Sequence, residues 1–224
     1  VQFWDTPTRS RSRRIEPMAY INYAQREIQL KVVYYGCGFC GKTTNLQAIH
    51  HSLDPQQKSD LVSLATSGDR TLFFDFMSLK TPTLNNFMVR FQLYTVPGQQ
   101  IYTSTRQLVL RGADGIVFVV DSGWDRMPEN VESFQDLQEN LLANNLSLAQ
   151  IPCVIQYNKR DLAEAANLEY LEYAFNNRAI RVPSFEAIAP QGEGVIETLN
   201  AIARLLMVKY SKSSQGGMAP ARAR

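Results

Sequence analysis

Cysteine, histidine and tryptophan are scarce in this chain: three, two and two residues of 224. Three cysteines, an odd number, do not build a disulfide framework, and so few fit a reducing compartment. The two histidines, His50 and His51, fall together at the end of a helical pattern and read as polar residues of a helix C-terminus, not as metal ligands. No apolar run approaches the roughly 20 residues that a bilayer span needs. No positively charged leader followed by an apolar stretch opens the chain, so the expectation is a cytoplasmic protein without a transmembrane span. Charge of one sign is also lacking: the net charge is only +2. Residues 1–17 hold +2 and residues 208–224 hold +4, which leaves −4 for everything between. An acidic body lacks the basic face that a nucleic-acid-binding fold presents, and no specific nucleic acid is expected as a partner.

What is present is ordinary globular material, 45% hydrophobic and 20% charged, enough for one domain with tails. Residues 1–17 contain an R-S-R-S-R-R run without periodicity and are expected to be a disordered basic extension, with Met18 as a candidate natural start. The folded unit is expected over 18–209, and the Ser/Gly/Ala-rich residues 210–224 as a flexible tail. Between the tails, strand and helix patterns alternate. Strands are expected at 28–35, 71–76, 87–95, 115–121 and 152–157, and helices at 42–53, 130–142, 168–175 and 195–208. The pair 71–76 and 87–95, joined by a polar loop containing proline, predicts an antiparallel edge; the other strands predict a parallel sheet with helices on both faces.

The stretch Tyr34–Asn45, YYGCGFCGKTTN, supports two readings. Cys37-Gly-Phe-Cys40 has the form of a redox C-x-x-C, with the helix N-terminus expected to lower the pKa of the first thiol. Gly36-Cys-Gly-Phe-Cys-Gly41-Lys42-Thr43 has the form of a phosphate-binding loop between a buried strand and a helix. There Gly36, Gly38 and Gly41 let the main chain turn tightly around phosphate, together with Cys40 and Thr44. Lys42 places a charge on the β- and γ-phosphates, and the Thr43 hydroxyl ligates Mg²⁺. The second reading explains more residues. The thiols are left with a subsidiary part, since a Cys37–Cys40 disulfide would distort the loop and block nucleotide.

Asn158-Lys159-Arg160-Asp161 then follows the apolar strand PCVIQY, at a strand's carboxyl end where ligands bind in such sheets. The Asp161 carboxylate accepts both N1–H and the exocyclic amine of guanine, a donor pair that adenine lacks, and the Lys159 stem lies along the base. GCGFCGKT with NKRD resembles the Ras-like small GTPases. SGDRTLFFDF (67–76), LYTVPGQ (93–99) and VIQYNKRD (154–161) narrow the resemblance to the bacterial MglA family of gliding-motility and cell-polarity GTPases.

The resemblance runs from about Met18 to Lys209 and implies a P-loop NTPase of Ras-like α/β fold that binds GTP and GDP with Mg²⁺. It implies that Thr71 senses the γ-phosphate through Mg²⁺, that the Gly98 amide meets that phosphate, and that Gln99 orients the attacking water. It further implies that Arg70 is a built-in arginine finger, and that the Ala189 amide meets the guanine carbonyl. Catalysis would rest on Gln99, Arg70 and Lys42. Intrinsic turnover would be slow and raised by a roadblock-domain (MglB-like) activator, with unidentified effectors and recruitment to the cell poles or the inner membrane surface. One departure stands out: Thr95 occupies the place of the aspartate that usually holds a Mg²⁺-bound water. Asp69 and Asp75 are candidates to compensate, and a hairpin turning near residue 81 makes Asp69 the nearer. The alternative function is a nucleotide-gated scaffold that scarcely hydrolyses.

Overall fold

The computed structural model describes residues 20–64, 74–84, 86–98, 103–177 and 181–215. The expectations for 1–17, and those resting on Asp69, Arg70, Thr71 and Gln99, lie outside these residues.

Eight strands form one sheet: β1 (Tyr20–Asn22), β2 (Glu27–Tyr35), β3 (Val62–Leu64), β4 (Phe74–Leu84), β5 (Phe87–Thr95), β6 (Gly115–Asp121), β7 (Cys153–Asn158) and β8 (Ser184–Ala187). The order across it is β3-β4-β5-β2-β6-β7-β8, with β1 paired to β2. Strands β5, β2, β6, β7 and β8 are mutually parallel, and β3 and β4 form the antiparallel edge. This is the α/β architecture that the alternating pattern predicts. The helices are α1 (Lys42–Ser52), α2 (Thr103–Leu110), α3 (Met127–Ala143), α4 (Leu168–Asn176) and α5 (Val195–Gln215). None of the described helices is long and apolar enough to cross a membrane.

The central strands are apolar throughout because both faces are covered. Leu30, Val32 and Tyr34 of β2, with Val117 and Val119 of β6, pack under Leu46 and Ile49 of α1 and Leu199, Ile202 and Leu206 of α5. The alternate residues Val33, Tyr35, Ile116, Phe118 and Val120 pack under α2, α3 and α4 through Leu110, Leu137, Leu141, Leu171 and Phe175. Each such side chain contributes about 1.5–3 kcal/mol when fully buried, so two packed layers fix the sheet against both helix groups.

Two elements run well past the C-terminal ends that their patterns predict. Helix α5 continues to Gln215, past the boundary expected at 209. Its Tyr210 hydroxyl donates to Asp114 at 2.5 Å, which ties that turn to the sheet's lower edge. Strand β4 continues through Pro82 to Leu84, so the chain does not turn near 81, and Asn86, at φ +66, immediately precedes β5. Proline marks a break in pairing and not the end of the strand: the register shifts between Thr81 and Leu84.

Candidate nucleotide-binding site

All five parallel strands end at one edge, and the loops leaving β2, β5, β7 and β8 carry the residues singled out in the sequence. The registers Tyr34 opposite Thr95, Asp121 opposite Asn158 and Asn158 opposite Ala187 set these ends side by side.

The loop between β2 and α1 folds as a phosphate-binding loop. Gly41 is the N-cap of α1 and has φ +101; a Cβ there would lie 2.2 Å from the Asn158 side chain, so only glycine fits. With no side chain of its own at that position, the helix N-terminus is left to an anion. The Lys42 ammonium reaches back into the loop, 2.9 Å from the Gly36 carbonyl and 2.6 Å from that of Cys37. Phe39, in the left-handed region at φ +63, carries the loop's turn and is 83% exposed.

Asn158 joins the loop to the base-recognition segment. Its amide donates to the Cys40 carbonyl at 2.8 Å, and its carbonyl oxygen accepts from the Ala189 N–H at 3.0 Å. The resemblance assigns the Ala189 amide to the guanine carbonyl. Here that amide is donated to Asn158, so Ala189 supports the base segment rather than offering an unbonded donor. Lys159 sits at φ +64, and its ammonium pairs at 2.6 Å with Asp121, which is wholly buried. Arg160 fixes the turn through Glu186 and the Ala166 carbonyl, and Asp161 follows it on the surface.

Beside the loop, the hydroxyl of Thr43 donates to the Asp75 carboxylate, which also accepts from Thr95 at 3.0 Å. Asp75 in turn donates its backbone N–H to the Thr95 oxygen at 2.8 Å. The neighbour of Thr95 in the sheet is therefore Asp75, a correction to the register that ranked Asp69 ahead of it; Asp69 itself lies outside the described residues. The error followed from the turn placed near 81; with Phe76 opposite Tyr94, Asp75 comes beside Thr95. Gly98 packs directly on the loop: a Cβ there would meet the Gly38 Cα at 2.4 Å.

A profile of the ADP-ribosylation factor family matches residues 18–206. The chain belongs to this family. The mutual gliding-motility protein MglA of Myxococcus xanthus is 49% identical over 195 residues, covering 87% of this chain and 99% of the relative. A Ypt/Rab-type GTPase, avaA of Emericella nidulans, is 24% identical over 87% of this chain and 90% of its own length. The human Ras-related protein Rab-30 is 25% identical over 63% and 69%. The chain is thus a small GTPase, a GTP hydrolase that binds guanine nucleotide, and the MglA resemblance stands.

Three supports of this GTPase's site carry no motif. Arg126 donates to the Gly38 carbonyl at 3.1 Å and pairs with Glu129. Asn130 of α3 bridges the backbone of Asp121 and accepts from the Cys37 thiol at 3.3 Å. Asp121 holds Lys159 and accepts from the Gly123 amide. Only Asp121 had a signal in the sequence: an acid closing the apolar run GIVFVVD. His50 and His51 end α1 as expected, with His51 against the Gln47 carbonyl.

The thiols differ from expectation. Burial raises the pKa of Cys40, but the Cys37 thiol and the Lys42 ammonium outweigh it and hold Cys40 down to about 6. Cys37, hydrogen-bonded to Cys40 and buried, is pushed up. The first thiol was the one expected to be lowered. The second is, through Cys37 first and then the Lys42 ammonium.

Proposed function

We propose that this chain is a switch that binds GTP and GDP with Mg²⁺ and is altered in shape by hydrolysis. The observation that carries the reading is the Asn158 bridge, which ties the phosphate loop at Cys40 to the base segment at Ala189. Such a bridge fixes the distance between a phosphate site and a base site, as a nucleotide requires. Gly36, Gly38, Cys40, Gly41, Thr43 and Thr44 line the phosphates, Gly98 lies against them, and Asn158, Lys159 and Asp161 take the guanine.

The chemistry is in-line attack by water on the γ-phosphorus. Gln99 orients the water, and Lys42 and Arg70 offset the charge that gathers on the phosphoryl oxygens. The Thr43 hydroxyl and Asp75 carboxylate form an all-oxygen set beside the loop, which fits a hard divalent cation. Thr43 and Thr71 would hold it, and Asp75 would stand in for the carboxylate that Thr95 lacks. A bound Mg²⁺ would supply positive charge that offsets the negative charge of the phosphates.

MglA of Myxococcus xanthus is named for gliding motility; control of surface motility or cell polarity is the output proposed here. A roadblock-domain activator would speed a slow intrinsic rate by ordering Gln99 and Arg70. The site of action would be the cytoplasm, the cell poles or the inner membrane surface.

The test is phosphate release from GTP by the wild type, Arg70→Ala and Gln99→Ala, with and without a roadblock-domain protein of the same genome. Turnover lost in both variants with nucleotide binding kept supports the mechanism. Turnover that survives both removes Arg70 and Gln99 from it.

A further inference from the structure

The phosphate loop holds two free thiols that hydrolysis does not use. Cys37 and Cys40 lie three residues apart in it, both buried and both in the core layer under α1; the Cys37 thiol donates to Asn130 at 3.3 Å and the Cys40 sulfur lies 3.6 Å from the Lys42 ammonium. The two are bound to the same cation: Lys42 Nζ lies 2.6 Å from the Cys37 carbonyl and 3.6 Å from the Cys40 sulfur. Phe39, between them, is held in the left-handed region at φ +63, which turns the loop between the two cysteines. Around them stand Lys42, Arg126 and Asn130, together with the Asp121 carboxylate, whose charge opposes thiolate formation.

We propose that Cys37 and Cys40 form a redox site that a small peroxide oxidises to a disulfide when the nucleotide is absent, and that the disulfide lowers affinity for guanine nucleotide. The effect on affinity rests on the guanine-nucleotide reading above; formation of the bond does not. In the first step the Cys40 thiolate attacks one oxygen of hydrogen peroxide. The O–O bond breaks, hydroxide leaves, and Cys40 becomes a sulfenic acid. In the second step the Cys37 sulfur attacks the Cys40 sulfur, the S–O bond breaks, and the Cys37 proton leaves with the hydroxyl as water. Two thiols are oxidised by two electrons, and one peroxide is reduced to two waters.

The charge arrangement favours that order. Cys40, beside Lys42, is the more acidic thiol and reacts first. The Cys40 thiolate is what most strongly raises Cys37, so oxidising Cys40 removes that opposition and leaves Lys42 to assist Cys37. A disulfide fixes its sulfurs about 2.05 Å apart, so bond formation draws Cys37 off Asn130 and Cys40 off Lys42 and disturbs the loop from Gly36 to Gly41 that those contacts hold. Those same residues line the phosphates. Burial of both thiols makes peroxide, with two heavy atoms, a better fit than a bulky disulfide reagent. A bound nucleotide holds the loop closed and slows entry.

The test treats full-length, nucleotide-free protein and GDP-loaded protein with hydrogen peroxide. Intact mass and peptide mapping follow the thiols, and a fluorescent GDP analogue reports affinity before and after dithiothreitol. The expected result is loss of two hydrogens mapped to the Cys37–Cys40 peptide, slowed by GDP. Affinity falls at least about tenfold, equivalent to 1.4 kcal/mol, and dithiothreitol restores it. Cys37→Ser, compared with its own untreated affinity, gives no loss of two hydrogens and keeps one added oxygen. A pair that stays reduced, or a disulfide that leaves affinity unchanged, overturns the proposal. If the reduced protein binds no GDP, the nucleotide reading fails instead, and the mass still decides whether the disulfide forms.

Discussion

Asp75 and Thr95 lie side by side on β4 and β5 and hold each other twice, through the Asp75 amide and the Asp75 carboxylate. The same carboxylate takes the Thr43 hydroxyl. An acid is therefore present where the proposed Mg²⁺ site would need one, supplied by the neighbouring strand. Asp75→Asn is expected to raise the Mg²⁺ concentration needed for half-maximal GDP retention by about tenfold. The thermal midpoint should change little, because asparagine keeps an oxygen acceptor of the same shape. A magnesium titration of nucleotide dissociation checks it, and an unchanged titration removes Asp75 from the cation site.

Thr95→Asp, which restores the residue usual in small GTPases, is expected to harm this one. It sets two carboxylates within hydrogen-bonding distance in a buried position, so one must take up a proton or be expelled. Stability should fall by about 1–3 kcal/mol, and Asp75→Asn combined with Thr95→Asp should recover much of it. Denaturant unfolding of the two single variants and the double variant checks the coupling. Additive losses would contradict it.

Gly98 and Gly38 meet backbone to backbone, but not symmetrically. A Cβ on Gly98 would come to 2.4 Å from the Gly38 Cα, whereas a Cβ on Gly38 would find its nearest neighbour, the Gly98 carbonyl oxygen, at 3.8 Å. Gly98→Ala must push the two segments apart and is expected to cut GTP hydrolysis at least about tenfold while GDP binding survives. Gly38→Ala should fold with stability within about 0.5 kcal/mol of wild type. Parallel measurement of GDP affinity, phosphate release and unfolding separates the two. A destabilised Gly38→Ala would show that the contact is tighter than described.

Much of this site was legible because its chemistry is local. A loop that wraps phosphate needs its glycines, lysine and threonine within eight residues, and the base segment needs four in a row, so both announce themselves. Their partners do not. Asp75 reaches Thr43 from a distant strand, Arg126 and Asn130 support the loop from 88 and 93 residues away in sequence, and Asp121 holds Lys159 of the base segment. No spacing rule links residues so far apart. Strand β5 was read to the residue, since its run of β-branched and aromatic residues ends at Thr95. Strand β4 was not, because Pro82 reads as a loop and the compensating register shift exists only in the pairing. That single error moved Thr95 opposite the wrong residue and put Asp69 ahead of Asp75. Helix α2 and strands β1, β3 and β8 were missed for the opposite reason. Each is short and takes its stability from what it packs against.

Arg106, in one of those missed elements, gives the last expectation. It grips Asp136 of α3 through two nitrogens, both at 3.1 Å, and the same carboxylate takes the hydroxyl of Tyr35. Asn140 donates to that hydroxyl from the next turn of α3. Tyr35 immediately precedes the phosphate loop, so this buried chain of contacts ties α2, in the segment that follows Gly98, to the loop's base. Burial, followed by the Asp136 hydrogen bond, raises the pKa of Tyr35, so it stays a neutral donor at any working pH. Arg106→Ala strips Asp136 of its cation in a largely buried position and is expected to cost about 2–3 kcal/mol, a fall in melting temperature of roughly 4–12 °C for a domain of this size. Arg106→Lys should recover less than half of the loss, because an ammonium cannot reproduce the two-pronged contact. Asp136→Asn in the Arg106→Ala background should cost little more, since the uncompensated charge is then gone. Thermal unfolding of the three variants decides it: full rescue by lysine would mean that charge alone, and not the geometry of the pair, holds α2 to α3.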